Sequence, residues 1–122
     1  MLVISSEQLR QLGQSADALF LKQAAARVAE HWPRRVERLG PAALETRLRA
    51  VYTLAQACGV RDRPDMLRLA NVAMALDDDL GAESPNTWVR ETLGDTRLRP
   101  GDRLDVLDAQ VRDWLLEKRA RG

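Results

Sequence analysis

The chain has 122 residues, 45% of them hydrophobic and 30% charged, which suits one domain with a buried core and not a disordered tail. Nineteen basic against eighteen acidic residues leave a net charge of +1, so there is no concentrated positive field for a phosphate backbone. A single cysteine, Cys58, excludes an internal disulfide, and one cysteine with one histidine cannot supply the usual ligands of a zinc site.

The segment "MLVISSEQLRQ" lacks a basic stretch followed by a long apolar run, so it does not read as a signal peptide. It reads instead as a helix start. Ser5 and Gln8 are spaced as a capping box, with Ile4 and Leu9 as a hydrophobic staple. Leu9, Leu12, Ala16, Leu19 and Phe20, with Gln23 next in phase, follow the three-four spacing of one helical face. Pro33 disfavours helical geometry at the residue before it, which ends this helix near Trp32.

"PRRVERLG" predicts a short helical turn stopping at Gly40, and Pro41 opens a long helix to Cys58. Leu44, Leu48, Val51, Leu54 and Cys58 lie along one side of it, and Gly59 is placed as a left-handed cap. Asp62 stands where it can cap the next helix, "RPDMLRLANVAMAL". From Leu69 to Leu76 that helix has no charge on any face, which assigns it to the centre of the domain. The same run is far too short to span a bilayer. Ser84 and Pro85 open a short helix, "NTWVRETL", that ends by Gly94. The last helix begins near Pro100, with Leu104, Leu107, Val111, Trp114 and Leu115 as an apolar seam. No segment shows strand alternation bounded by hairpin turns. The expected fold is all-α: one helical domain over 1–122, with four main helices and two short connecting ones.

Few residues carry recognisable chemistry. Counted from Asp77, the acidic run "DDD" fails the calcium-loop pattern, because position six is Ala82 and position twelve is Trp88. Asp77, Asp78 and Asp79 therefore read as a water-facing joint, open to contact by a partner. His31 sits in a last helical turn, where partial positive charge suits the dipole, and no partner stands at a spacing that fixes a triad. Cys58 falls on an apolar face and reads as a small core residue.

"LAQACGVRDRPDMLRLA" resembles a helix-turn-helix through Ala55, Gly59 and Val60. Asp65 occupies a position that should pack as apolar, however, and the second helix is too apolar to read bases. Trp32 and Trp88 flank prolines at short elements, where a large ring either plugs the core edge or anchors a partner.

"ISSEQLRQL", "VAEHWPRRVERLG" and "MALDDDLGAESPNTWVRETLGDTRLRPGDRL" together resemble small bacterial accessory proteins of toxin and effector cassettes, particularly those of type VI secretion systems. The resemblance rests on His31-Trp32-Pro33, the acidic loop Leu76–Asp79, Trp88-Val89-Arg90 and the helix start Pro100–Leu104, in order along the chain. Asp78 departs from the pattern, which has an apolar or aromatic residue there. The resemblance implies a co-chaperone or adaptor that keeps a toxin soluble or loads it for secretion, and it carries over no catalytic residue and no cofactor.

The expectation is thus a non-enzymatic, cytoplasmic protein-binding module with no cofactor or metal. Its partner is another protein, a toxin, effector or adaptor, and neither nucleic acid nor membrane. Self-association and hetero-complex formation both stay open. Trp32, Asp77, Asp78, Asp79, Trp88 and Arg90 are the partner-facing candidates. An immunity protein that neutralises a toxin and a helix-turn-helix regulator are the rival readings.

Overall fold

A computed structural model of the chain describes the backbone of residues 6–121 and the side chains of residues 18–120. It is all-helical: α1 (Ser6–His31), α2 (Pro33–Ala57), α3 (Arg63–Leu76), α4 (Thr87–Leu93) and α5 (Pro100–Arg121), with no strand among the described residues. The expected capping box and staple at Ile4, Ser5, Gln8 and Leu9 lie outside the described side chains.

The breaks follow from local backbone chemistry. Trp32 leaves helical geometry (φ −131°, ψ 53°) directly before Pro33, as the proline requires. The short and long helices expected on either side of Gly40 are joined into α2 across a kink, where Gly40 adopts φ 80° and ψ 164° before Pro41. Among the described residues there are accordingly five helices, the expected short helix before Gly40 being the first two turns of α2. Gly59 (φ 74°) closes α2 as a left-handed cap, and the Val60 amide returns to the Ala55 carbonyl at 2.9 Å.

Two expected caps are filled differently. Asp62 occupies the N-cap position of α3 with extended backbone, but its side chain makes no capping bond. At α4 the cap position is Asn86, and Ser84 instead accepts the Asn86 amide at 3.0 Å, inside the preceding loop.

The core is assembled around α3, in which Met66, Leu69, Ala70 and the whole run Val72–Leu76 are buried. An uncharged helix has no face to offer water, so its neighbours must cover it. α2 supplies Leu44, Leu48, Val51, Leu54 and Ala55; α1 supplies Phe20, Ala24 and Val28; α5 supplies Leu104, Leu107 and Val111. Among its described side chains the buried stripe of α1 is thus Phe20-Ala24-Val28; Leu12 and Ala16 of the expected face lie outside them, and Leu19, placed by the sequence pattern on the same face, is 45% exposed. One residue of helical phase, 100° of rotation, separates the two outcomes. On α5 the seam ends early as well. Trp114 is half-buried and Leu115 exposed, because that helix runs on past the bundle.

Contacts along the elements set their directions. Gln56 reaches Met66 while Arg47 reaches Met74 and Asp77, so α2 and α3 run antiparallel. Gly101 lies beside Asp65, and Arg68 is bonded to Asp105 and Asp108, so α3 and α5 run in the same direction. α1 is antiparallel to α2, with Phe20 against Tyr52 (ring centroids 5.4 Å apart), and therefore parallel to α3.

Truncating Leu69, fully buried in α3, to Ala should cost about 3 kcal/mol in urea-melt stability from lost burial and an unfilled cavity. Leu116→Ala, at a side chain 58% exposed, should change stability by no more than about 0.5 kcal/mol.

Candidate functional site

The acidic corner after α3 is cross-braced. At the negative dipole end of α3 the Asp77 and Asp78 amides return to the Met74 and Ala73 carbonyls, which leaves acceptor capacity in the last turn. Two arginines of α2 meet that end. The Arg35 guanidinium donates to the Met74 and Ala75 carbonyls and stacks over the Trp32 ring at 4.9 Å. Arg47, buried in the apolar face of α2, donates to Asp77 at 2.9 Å and Asp79 at 2.8 Å, and Asp77 also accepts from Arg38 at 3.1 Å.

Asp78 turns inward instead. It accepts from the Ser84 hydroxyl, from Asn86 Nδ2 at 2.8 Å and from the Leu80 amide at 3.1 Å. Leu80 is held at φ 58°, a backbone region that L side chains rarely adopt. Its buried side chain, its amide bond to Asp78 and the Arg90 guanidinium on its carbonyl (3.2 Å) keep it there.

The three aspartates, expected as a water-facing joint, are therefore each engaged within the chain. Asp77 and Asp79 keep partial exposure, 42% and 56%, but their carboxylates balance Arg47. Burial alone would lower the Arg47 pKa, and the hydrogen bonds it donates to Asp79 and Asp77 outweigh it, so the pKa is raised and the side chain stays charged. Among the described residues no three His, Cys, Asp or Glu side chains gather as metal ligands would.

A second buried arginine, Arg103 of α5, donates to the carbonyls of Leu98 (2.9 Å), Cys58 (3.0 Å) and Leu93 (3.2 Å). It thereby gathers the C-terminal ends of α2 and α4. Burial pushes the Cys58 thiol up, against the pull of Arg90 and Arg103, which disfavours the thiolate that a nucleophile needs. Sequence reasoning passed over both arginines. Each had a signal, since Arg47 stands three residues after Leu44 and four before Val51, and Arg103 four before Leu107, in phase with apolar seams.

A recess of about 750 Å³ lies between α1, α3 and α5. Leu67, Asn71, Val72 and Ala75 of α3 form its floor, and Val111 and Leu115 of α5 form an apolar wall. The opposite side carries Arg27, His31 and Trp32, whose Nε1 donates to Asn71 Oδ1 at 2.8 Å and so fixes the ring against the floor. Arg68 lies on the α5 side of the floor. It holds Asp108 at 2.6 Å and Asp105 at 2.6 Å, and although burial works against its charge, these bonds raise its pKa overall.

Of the partner-facing candidates, only Trp32 lies in this recess. Asp77–Asp79 and Arg90 belong to the loop braces, and Trp88 is half-buried against the core from α4. The helix-turn-helix reading would require α3 to be presented to a duplex, yet eight of its fourteen residues are buried between neighbours. No family model, curated protein or solved structure matches the chain.

The braces make stability depend on acid. The Arg47 hydrogen bond holds the Asp77 carboxyl below its ordinary 3.8, and at Asp78 burial acts upward but the Ser84, Asn86 and Leu80 bonds bring the net shift down. Depressed folded values mean that their stabilisation is complete above the unfolded value and disappears as pH falls through the folded ones. Arg47→Met should cost about 1–3 kcal/mol near neutrality and flatten the acid limb of urea midpoints measured downward from about pH 6. An unchanged acid limb would separate Arg47 from the aspartates.

Proposed function

We propose that this chain is a non-enzymatic, cytoplasmic protein-binding accessory, an adaptor or co-chaperone for a secreted toxin or effector, and that the α1/α3/α5 recess is where it engages its partner. The resemblance to type VI secretion accessory proteins supplies the biological setting. The recess itself is the observation that carries the binding role: an open trough with an apolar floor, one anchored tryptophan and a polar rim. Such a combination suits a protein surface, since apolar area supplies affinity and a half-buried, rotamer-locked indole is a low-entropy anchor.

The ionisable groups that do converge support the same reading. Arg47 with Asp77 and Asp79, and Arg68 with Asp105 and Asp108, meet as opposite charges in ion pairs that bridge helices. A catalytic site instead sets an acid, base or nucleophile beside a place for substrate, with its proton-transfer atom free. Among the described residues, no helix is long and apolar enough to cross a membrane.

The test is co-expression with the toxin or effector encoded beside this gene. The two should co-purify as a defined complex, and the complex should be lost on Leu67→Arg, which places a charge on the recess floor while leaving the melting temperature within a few degrees. An accessory by itself should not relieve growth arrest by the active toxin. Relief by this chain alone would transfer the assignment to an immunity protein, and failure to form any complex would remove the proposal.

A further inference from the structure

The recess has a definite length and charge. Its floor runs from Pro64 to Ala75, eleven helical steps, so it is about 16 Å long, equal to three turns of a second helix. Along α1 the lining runs from Arg27 to Trp32 and along α5 from Asp108 to Leu115, both helices running in the direction of α3, and among the described residues α1 and α5 do not pack on each other, which leaves the floor open between them. A helix laid into such a channel buries an i, i+3, i+4, i+7 stripe against Leu67, Leu115 and the Trp32 ring, the apolar lining side chains that keep exposed surface, over a base of buried Val72, Ala75 and Val111.

The charge on the rim selects what that helix carries on its flanks. Arg27 on the α1 wall and Arg112 on the α5 wall have no ion pair or hydrogen bond among the described residues, and neither does His31. Asp108 is the one acid in the lining, and Arg68 holds it through two bonds, from Nε at 3.2 Å and Nη2 at 2.6 Å. The lining therefore presents two free guanidinium groups and no free carboxylate.

Among the described residues a second copy offers Leu19, Val106, Leu115 and Leu116 as exposed apolar side chains, and the end of α5 around Leu115 and Leu116 mixes Arg112, Lys118 and Arg119 with Asp113 and Glu117, so it lacks the uniformly acidic flanks that would answer Arg27 and Arg112.

We infer that the occupant of the α1/α3/α5 recess is an amphipathic helix of about three turns with an apolar stripe and acidic flanks, supplied by the partner protein, whose carboxylates pair with Arg27 and Arg112. This rests on the reading of the recess as the partner site and adds the partner's chemistry to it. The apolar stripe supplies affinity. The carboxylates set the register and speed the encounter, because rim charges act mainly through steering and orientation.

The probe is a fluorescein-labelled helical peptide of about 14 residues with leucines on one stripe and glutamates on its flanks, against the same peptide with lysines for glutamates. Fluorescence anisotropy on the full chain should show saturable binding of the glutamate peptide, weakening as salt rises from about 50 to about 500 mM. The lysine peptide should bind at least about tenfold more weakly, and the double variant Arg27→Glu/Arg112→Glu should reverse that preference while its circular dichroism and melting temperature stay unchanged. Leu67→Arg should weaken both peptides.

Equal binding of the two peptides, no binding of either, or a preference untouched by the charge reversal would overturn the inference. So would a concentration-dependent dimer abolished by Leu115→Arg, which would give the recess to a second copy. The toxin complex keeps the two levels apart: a complex that forms and ignores the Arg27/Arg112 reversal defeats the acidic-helix inference and leaves the adaptor reading standing.

Discussion

A helix with apolar side chains on every face cannot meet water on any of them, and α3 places that constraint on the remainder of the chain. Leu69, Ala70 and the run from Val72 to Leu76 are all buried, so partners are needed on several sides at once. α1, α2 and α5 take those sides. The small side chains of Ala70, Ala73 and Ala75 let the neighbours approach closely, while leucines and methionines fill the spaces between them. α4 touches the core through Val89 and Leu93, against α5.

Enclosing a helix creates a second problem at its ends, where carbonyls lose their intrahelical donors and would be buried unpaired. This chain meets it repeatedly with guanidinium groups. Arg35 takes the last carbonyls of α3, and Arg103 takes carbonyls from the ends of α2 and α4. Arg47 takes the two aspartates that follow α3, one of which, Asp77, is itself the left-handed cap. Arginine suits the task because its planar fork presents several donors in fixed directions and stays charged when buried. Most of the loop chemistry in residues 77–90 is thereby spent on holding helix ends together, including the strained Leu80, and little of it is left to act on anything outside the chain.

The recess is the place where the enclosure of α3 is incomplete. α1 and α5 flank the helix without closing over it, and part of its surface stays open between them. Trp32 is fixed to the floor from the α1 side by bonding to Asn71, and Arg68 is fixed on the α5 side through Asp105 and Asp108. The braces that stiffen the fold therefore also give the trough its dimensions. A site built this way is rigid on three sides, which lowers the ordering cost of any helix that enters it.

Much of the fold could be read from residues acting locally. Pro33, Gly59, Gly94 and Pro100 place helix boundaries and the Gly40-Pro41 pair places the kink of α2, because each acts on the backbone beside it. The uncharged run from Leu69 to Leu76 placed α3 at the centre, since no arrangement could satisfy it on a surface. Tertiary structure alone decided the rest. It chose Phe20 over Leu19 for the core, because the two differ by a rotation that only the position of α2 can settle. It turned Asp77 and Asp79 from a solvated corner into the partners of Arg47, some thirty residues away, and folded Asp78 onto Ser84 and Asn86, and it opened a trough between helices that lie far apart in the chain. Backbone preferences are fixed by neighbours in sequence, whereas charge pairing and cavities depend on which distant surfaces the packing of α3 brings together.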